Sequence, residues 1–385
     1  MKILIATGIF PPDIGGPAIY VERLANKLSQ RNLEVVVITY AGGLNSNPKT
    51  KKYDFSVIRV SRRYPKGLRH FLYFLHLLNL AKDSDVIYAQ NLTSAGFPSI
   101  LASKILRKKL VIKVVGNYAW EQSSMRGWFS GRISEFHKAK TFKIKLLKRM
   151  QEALAKRANL IVVPCNYLKK SINSWGVPEN KIQLIYNAPK DLLSLDIFNK
   201  DSQEEIKSDG KTILSIGRLD SWKGFHCLIE ITKDLLQEIP NLKLLIIGEG
   251  DERKNLEFKI KKLGLGDKVK LVGRVSHEEI PLFFKKSDIF ILNSAQEGFA
   301  HVILESMQLG VPVITTNEGG NPELIEDGVN GILVEYNNKE QLKKAIIKLI
   351  NDKNLKQKFI ENSKIKLKKF SWENLVNETL KALKP

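Results

Sequence analysis

The sequence predicts an α/β protein made of two parallel-sheet, Rossmann-like domains facing across a cleft, and three observations predict it. At 385 residues the chain is long for one domain and comfortable for two. Short apolar runs alternate with stretches whose apolar residues recur at helical spacing, the signature of a parallel sheet with helices on both faces. That alternation pauses over a polar stretch, 187–210, and starts again at Thr212.

In chain order, the first half offers strands at 2–6, 34–39, 56–60, 86–90, 110–115, 160–164 and 182–186. Each is a near-continuous apolar run, as strands covered on both faces require. Helical patterns lie between them at 18–30, 69–80 and 94–106. The stretch 187–210, with Pro189, Asp191, Asp196 and Asp201, reads as the linker. The second half repeats the strand pattern at 212–216, 242–247, 269–272, 289–292, 311–315 and 331–334. Domains are therefore expected at 1–188 and 189–369. The tail, 370–384, is an amphipathic helix with Trp372, Leu375, Val376, Leu380 and Leu383 on one side; its sequence suits a cap on either domain.

Composition narrows the class. A hydrophobic content of 43% supplies ordinary cores. Cys165 and Cys227 sit in apolar runs in separate halves, so they read as buried thiols of a reducing compartment rather than a disulfide framework or metal site. The opening MKILIATGIFPP reads as a first strand, not a signal peptide, because its apolar run soon meets Gly and Pro. No run approaches the ~20 apolar residues that span a bilayer; the longest, 71–81, is interrupted by His76 and Asn79. A soluble or peripheral protein is expected.

Charge is more informative. Residues 1–190 carry 32 Lys+Arg against 10 Asp+Glu, whereas 191–385 carry 30 against 30, so the whole net +22 lies in the first half. Such asymmetry speaks of partners, not of fold. In the basic stretches 62–78 and 137–149 cations mingle with large apolar residues, as in peripheral membrane segments. Residues 107–109 add a shorter run, and a solvated lysine-rich surface like 364–369 is the other reading. No nucleic-acid recognition fold accompanies the charge, so no nucleic-acid partner is expected.

The stretch 293–323 carries the most chemistry. Strand 289–292 runs into a polar turn, then Glu297 and Gly298, then a helix closed by Gly310. Glu297 thus sits at a strand's carboxyl end and a helix's amino end, where open parallel sheets hold ligands. The amides of Phe299, Ala300 and His301 would face an anion there. Glu305 lies two turns further on, and carboxylates beside an anion site suit the hydroxyls of a sugar or ribose. Gly15 and Gly16 lie between the first strand and its helix, either as a plain turn or where backbone approaches a ligand. Arg218 and Lys223 share the loop after strand 212–216; two cations there can embrace a diphosphate, one as a fork and one as a point charge. Gly248 and Gly250 follow strand 242–247 without the third glycine of a dinucleotide fingerprint. His70, His76, His137 and His226 lack ligand spacing, and His277 reads as a helix-start or surface residue. His301 either approaches the ligand or packs or caps at the helix start, and no metal site is expected.

The segment EGFAHVILE (297–305), followed by GVPVITTNEGGNPE, resembles the E-x7-E segment of the retaining, GT-B-fold glycosyltransferases of family 4 (group 1). GRLDSWKG, from Gly217 to Gly224, resembles that family's G-R-x(4)-K-G pattern, and GEGDERKNL (248–256) its G-x-G-x-x-x-x-L segment. The resemblance implies transfer of a sugar from a nucleoside diphosphate sugar, UDP- or GDP-linked, to an acceptor hydroxyl. It implies catalytic roles for Glu297, Arg218 and Lys223: the carboxylate on a sugar hydroxyl, the cations on the diphosphate. Glu305 would hold the ribose, and Gly248, Arg274 and Val275 would lie beside the nucleotide. The backbone of Gly298, Phe299 and Ala300, with Gly15 and Gly16 opposite, would line the donor. No cofactor beyond the substrate, and no metal, is required if the cations neutralise the diphosphate. The tail helix would cross back onto the first domain.

One feature departs from the family: the loop after strand 110–115 lacks the histidine many members carry, and offers Asn117, Tyr118 and Glu121 to the acceptor instead. A front-face reaction assisted by the leaving phosphate tolerates that. With the basic first half, the reading is of a cytoplasmic enzyme, peripheral at the inner face of an anionic membrane, with a lipid-linked or surface-glycan acceptor. The alternatives are a nucleotide-sugar epimerase or phosphorylase of the same fold, and a non-catalytic membrane-bound sugar-nucleotide sensor, against which the intact cation pair and both Glu residues speak.

Overall fold

The computed structural model describes residues 1–13, 15–41, 53–189, 192, 211–276 and 278–384. Most of the expected linker, 187–210, and His277 lie outside the described residues. The first sheet comprises β1 (Lys2–Ala6), β2 (Glu34–Ala41), β3 (Ser56–Ser61), β4 (Val86–Gln90), β5 (Lys109–Lys113), β6 (Leu160–Val163) and β7 (Ile182–Leu184). Its order is β3-β2-β1-β4-β5-β6-β7, every pair parallel. Ile3, Leu4 and Ile5 are fully buried in succession because helices cover both faces of the sheet.

The second sheet comprises β8 (Thr212–Ile216), β9 (Lys243–Ile247), β10 (Val269–Gly273), β11 (Ile289–Leu292), β12 (Val313–Thr316) and β13 (Ile332–Val334). They run parallel in the order β10-β9-β8-β11-β12-β13. In each sheet the chain winds outward from its first strand one way, then returns and winds the other. The switch points fall between β1 and β4 and between β8 and β11, and loops leaving the carboxyl ends of such a pair diverge to leave a crevice.

Two compact units result: Met1–Met125 with Lys140–Tyr186 and Trp372–Pro385, and Arg126–Ala139 with Asn187–Ser371. The first unit therefore departs from the unbroken 1–188 read from sequence, because 126–139 folds with the second. There a 3-10 turn, Ile133–Lys138, buries Ile133 and Phe136. The Ile133 amide donates to the Ala295 carbonyl at 3.3 Å, and Phe129 meets Phe136 edge to face at 5.2 Å. The terminal helix, Trp372–Leu383, groups with the first unit: Trp372 stacks on Tyr20 at 6.2 Å, and Arg31 donates to Asn377 at 2.6 Å. Cys165 and Cys227 are buried thiols.

Candidate functional site

In the second unit the candidate residues stand on loops in a row along the carboxyl edge of the sheet. The row follows strand order: loops after β10, β9, β8, β11 and β12. Backbone hydrogen bonds join each neighbouring pair. The Gly248 amide donates to Gly273 at 2.9 Å, Leu219 to Glu249 at 3.0 Å, Ala295 to Trp222 at 2.9 Å, and Gly320 to Glu297 at 2.9 Å. Such close approach explains two glycines. A Cβ on Gly248 (φ 145°) would stand 1.9 Å from the Gly217 carbonyl oxygen, and one on Gly319 (φ 63°) 1.9 Å from that of Glu297.

At the switch point the loops after β8 and β11 bring two sequence-predicted residues together. Lys223 ends a short 3-10 turn, Ser221–Lys223, and its Nζ lies 2.5 Å from Oε1 of Glu297. Both side chains are largely buried, at 16% and 14% exposure. Arg218, on the same loop, is more open; its Nε donates to Asp220 at 2.5 Å, and its guanidinium lies 5.7 Å from the Trp222 ring centroid. Beneath them Asn293 is fully buried. Its amide donates to the Gly224 carbonyl at 3.2 Å and to Asn337 Oδ1 at 2.8 Å, while its own oxygen accepts from the Asn337 amide at 3.0 Å. Sequence reasoning missed this brace, although a polar residue directly after the apolar run IFIL was the available signal.

The helix beyond Glu297 is His301–Gln308, starting later than the sequence pattern suggests, with Ala300 in extended conformation as its N-cap. Phe299 is buried, and its ring meets Phe370 edge to face at 5.6 Å. Gly298 and Phe299 thus form a bend, and Ala300 leads from it into the helix, whose first turn begins at His301. Glu305 is buried, at 4% exposure, on that helix. Arg274 and Val275 follow β10 at the outer end of the row, with the loops of β9 and β8 between them and Glu297.

A further carboxylate, unnoticed in the sequence, stands on the loop after β12. Burial pushes the Glu318 carboxyl up from its ordinary value, against the pull of Ser134 and Arg132. Arg132 Nη1 is 3.7 Å away and Ser134 Oγ 3.5 Å. Both partners come from the 126–139 excursion.

In the first unit Gly15 and Gly16 follow β1 and lead into the helix Gly16–Ser29. A Cβ on Gly16 would meet nothing within 4 Å, so this position opens to space. The preceding loop is braced by Arg62, which holds both Asp13 carboxylate oxygens at 3.2 and 2.9 Å and the Gly8 carbonyl at 3.0 Å. Arg59 adds a bond to the Pro11 carbonyl at 2.8 Å. Arg62, grouped with the membrane-type cations in the sequence, is therefore committed to this loop. Asn117 accepts from the Trp120 amide at 3.1 Å and caps the helix Tyr118–Met125, on which Tyr118 and Glu121 are half-buried. Among the described residues no cluster of His, Cys, Asp and Glu is suited to a metal ion, and no helix is long and apolar enough to cross a membrane.

Known proteins match this chain in sequence and in fold. Residues 14–188 match the family described as Glycosyltransferase Family 4, and residues 196–366 the one described as Glycosyl transferases group 1. An uncharacterized glycosyltransferase of Methanocaldococcus jannaschii is 29% identical, covering 100% of this chain and 98% of its own. Anabaena HepE, solved in complex with UDP and glucose, superposes with a TM-score of 0.78 at 23% identity, over 100% of this chain and 99% of its own. WaaG, a glycosyltransferase involved in lipopolysaccharide biosynthesis, superposes with a TM-score of 0.73 at 18% identity, over 100% of this chain and 99% of its own. With two Rossmann-like units, a cation pair and a carboxylate at the second switch point, and family matches over both halves, the chain belongs to the group 1, family 4 glycosyltransferases of GT-B fold.

Proposed function

We propose that this glycosyltransferase moves a sugar, with retention of anomeric configuration, from a nucleoside diphosphate sugar to the hydroxyl of a lipid-linked or surface-glycan acceptor. The observation that carries the donor assignment is the Lys223–Glu297 contact at the switch point. It puts a cation for the leaving diphosphate beside a carboxylate for a sugar hydroxyl. Without donor, each is the other's counter-ion. On donor binding the diphosphate takes Lys223 and Arg218, and Glu297 turns to the sugar and orients the anomeric carbon. Charge builds on the leaving diphosphate in the transition state, where preorganised donors of this kind are worth roughly 3 kcal/mol each. Glu305 holds the ribose, and the cations supply the neutralisation a metal would otherwise give. The UDP complex of HepE supports a uridine donor, and the role of WaaG in lipopolysaccharide biosynthesis supports a lipid-linked acceptor. In the first unit the Gly15–Gly16 loop serves the donor, and the helix Tyr118–Met125 with Asn117 serves the acceptor side.

A panel of UDP- and GDP-sugars, screened for thermal stabilisation and slow hydrolysis, tests the reading. A ligand at a hundred times its Kd stabilises by about 2.7 kcal/mol, a shift easily seen in a melt. Arg218→Ala and Lys223→Ala should each lower hydrolysis about 100- to 1,000-fold while both variants keep the fold. Wild-type turnover in either variant removes the role given to these cations, and a panel that shifts no melt removes the donor class.

A further inference from the structure

The first unit carries an apolar surface its own core does not use. The helices Lys66–Lys82, Gly96–Leu106 and Phe142–Ala155 pack in sequence, the first on the second and the second on the third. Each buries one stripe and exposes another. The first buries Tyr73, Leu77 and Ala81 yet leaves Leu68, Phe71 and Leu75 in solvent, with Phe71 57% exposed. On the second, Phe97, Leu101 and Ile105 recur every fourth residue on the exposed side, Phe97 at 52%. On the third, Phe142, Leu146 and Met150 repeat that spacing, Phe142 at 82%. Soluble surfaces scatter single apolar residues; contiguous rows across three neighbouring helices mark an interaction site.

Charge identifies the occupant. The first two helices contain no carboxylate and the third only Glu152, while Lys66, Arg69, Lys104, Lys143, Lys145 and Arg149 stand among the apolar tips. Such a face repels a second copy of itself. Large apolar tips interleaved with long cations are what an interfacial surface presents to lipid: the tips enter the acyl boundary and the cations stay at the headgroups. We propose that these three helices form one docking surface for a bilayer containing anionic phospholipid.

Topology gives the docked orientation a use. Each helix leads back to the amino end of a following strand, β4, β5 or β6. Its own amino end, with Leu68, Phe97 or Phe142, therefore lies towards the carboxyl edge of the sheet. The helix Tyr118–Met125 follows the carboxyl end of β5 at the same edge, so docking brings the acceptor-side helix to the lipid surface. This use rests on the proposed function; the docking itself does not. Sequence had pointed to 62–78, 107–109 and 137–149. The structure removes Arg62, which holds Asp13, moves 137–139 to the second unit, and adds the helix Gly96–Leu106.

The test is co-sedimentation of the full chain with phosphatidylcholine vesicles, with and without phosphatidylglycerol, over a salt series. Phe71→Ser/Phe97→Ser/Phe142→Ser removes one tip per helix, and Lys66→Ser/Lys104→Ser/Lys145→Ser one cation per helix. Binding should require the anionic lipid and weaken with salt. At about five-fold per cation, the charge triple should lose on the order of 100-fold in affinity, and the apolar triple at least about ten-fold. Both should keep the wild-type melt and its shift by UDP, so the docking result stands or falls apart from the donor assignment. The proposal is overturned if wild type stays in the supernatant with anionic vesicles at low salt, or if either triple binds like wild type. It is equally overturned if soluble polyglutamate captures the protein as tightly as vesicles do, or if the face proves to be a dimer interface broken by the apolar triple.

Discussion

Replacing Glu297 by Gln separates binding from turnover, because the structure makes the carboxylate a competitor for the cation it is meant to help. Glu297 holds Lys223 at 2.5 Å, with both side chains mostly out of water. Under the proposed function a diphosphate entering the site must draw Lys223 away from that partner. A hydrogen bond to a charged group contributes about 1.5–3 kcal/mol. Replacing the carboxylate by an amide keeps that bond to the ammonium but moves it towards the low end of the range by removing the charge–charge attraction. Glu297→Gln therefore lowers the cost of releasing Lys223 by about 1 kcal/mol, or roughly five-fold in affinity. Titration calorimetry with free UDP or GDP should show equal or tighter binding in this variant. Turnover should fall by two orders of magnitude or more, because the proposed function gives Glu297 a sugar contact in the transition state that the variant loses. Glu305→Gln should do the reverse, weakening the free nucleotide while leaving the rate at saturation closer to wild type. If free nucleotide binds Glu297→Gln tenfold worse than wild type while Glu305→Gln binds normally, the two carboxylates have been assigned the wrong way round.

Two further outcomes follow from local geometry. Gly248→Ala drives a Cβ to within 1.9 Å of the Gly217 carbonyl at positive φ, so it should destabilise the second unit by about 2–4 kcal/mol and lower its melting midpoint by at least about 5 °C. Gly16→Ala meets nothing within 4 Å and should stay within about 0.5 kcal/mol of wild type, so that any loss of turnover there reports on a ligand; a neutral Gly248→Ala would show that the loops do not approach as described. The raised Glu318 carboxyl gives a pH dependence. The folded state holds that proton more tightly than the unfolded state, so its contribution is present at low pH and is lost as pH rises from the ordinary carboxylate value through the raised one. The slope of stability against pH in that window should flatten in Glu318→Gln, and an unchanged slope would locate the titration elsewhere.

How legible all this was depends on the range over which each contact acts. β4, β8 and β11 fall at the bounds read from sequence, since a doubly covered strand is a continuous apolar run with polar ends. β5 misled: the run continues through Val114 and Val115, but the strand ends at Lys113 and Val115 turns out to solvent. The excursion 126–139 has neither helical nor strand period, and its links to the second unit are the Ile133 amide on the Ala295 carbonyl and Arg132 and Ser134 at Glu318, partners far along the chain. Lys223 and Glu297 are 74 residues apart and Arg62 and Asp13 are 49 apart. No spacing rule finds such pairs. The first was accessible through topology, because both residues follow strands that flank the switch point. The second was hidden, because an arginine inside a cationic run looks like any other surface charge.

The glycines of the second unit bear on what its motifs encode. A strand-end glycine is ordinarily explained by backbone coming close to a phosphate. Here Gly248 and Gly319 are required by neighbouring loops, whose carbonyl oxygens occupy the space a Cβ would take. Backbone bonds join the loops of β10, β9, β8, β11 and β12 pair by pair in one row. The loops that carry Arg218, Lys223 and Glu297 are thus tied to one another by main chain, and under the proposed function that leaves less to reorganise when charge develops on the leaving group. The contact that has to change is Lys223 with Glu297. A donor that takes the lysine by its diphosphate leaves the carboxylate in need of a new partner, and under the proposed function the sugar hydroxyl supplies it.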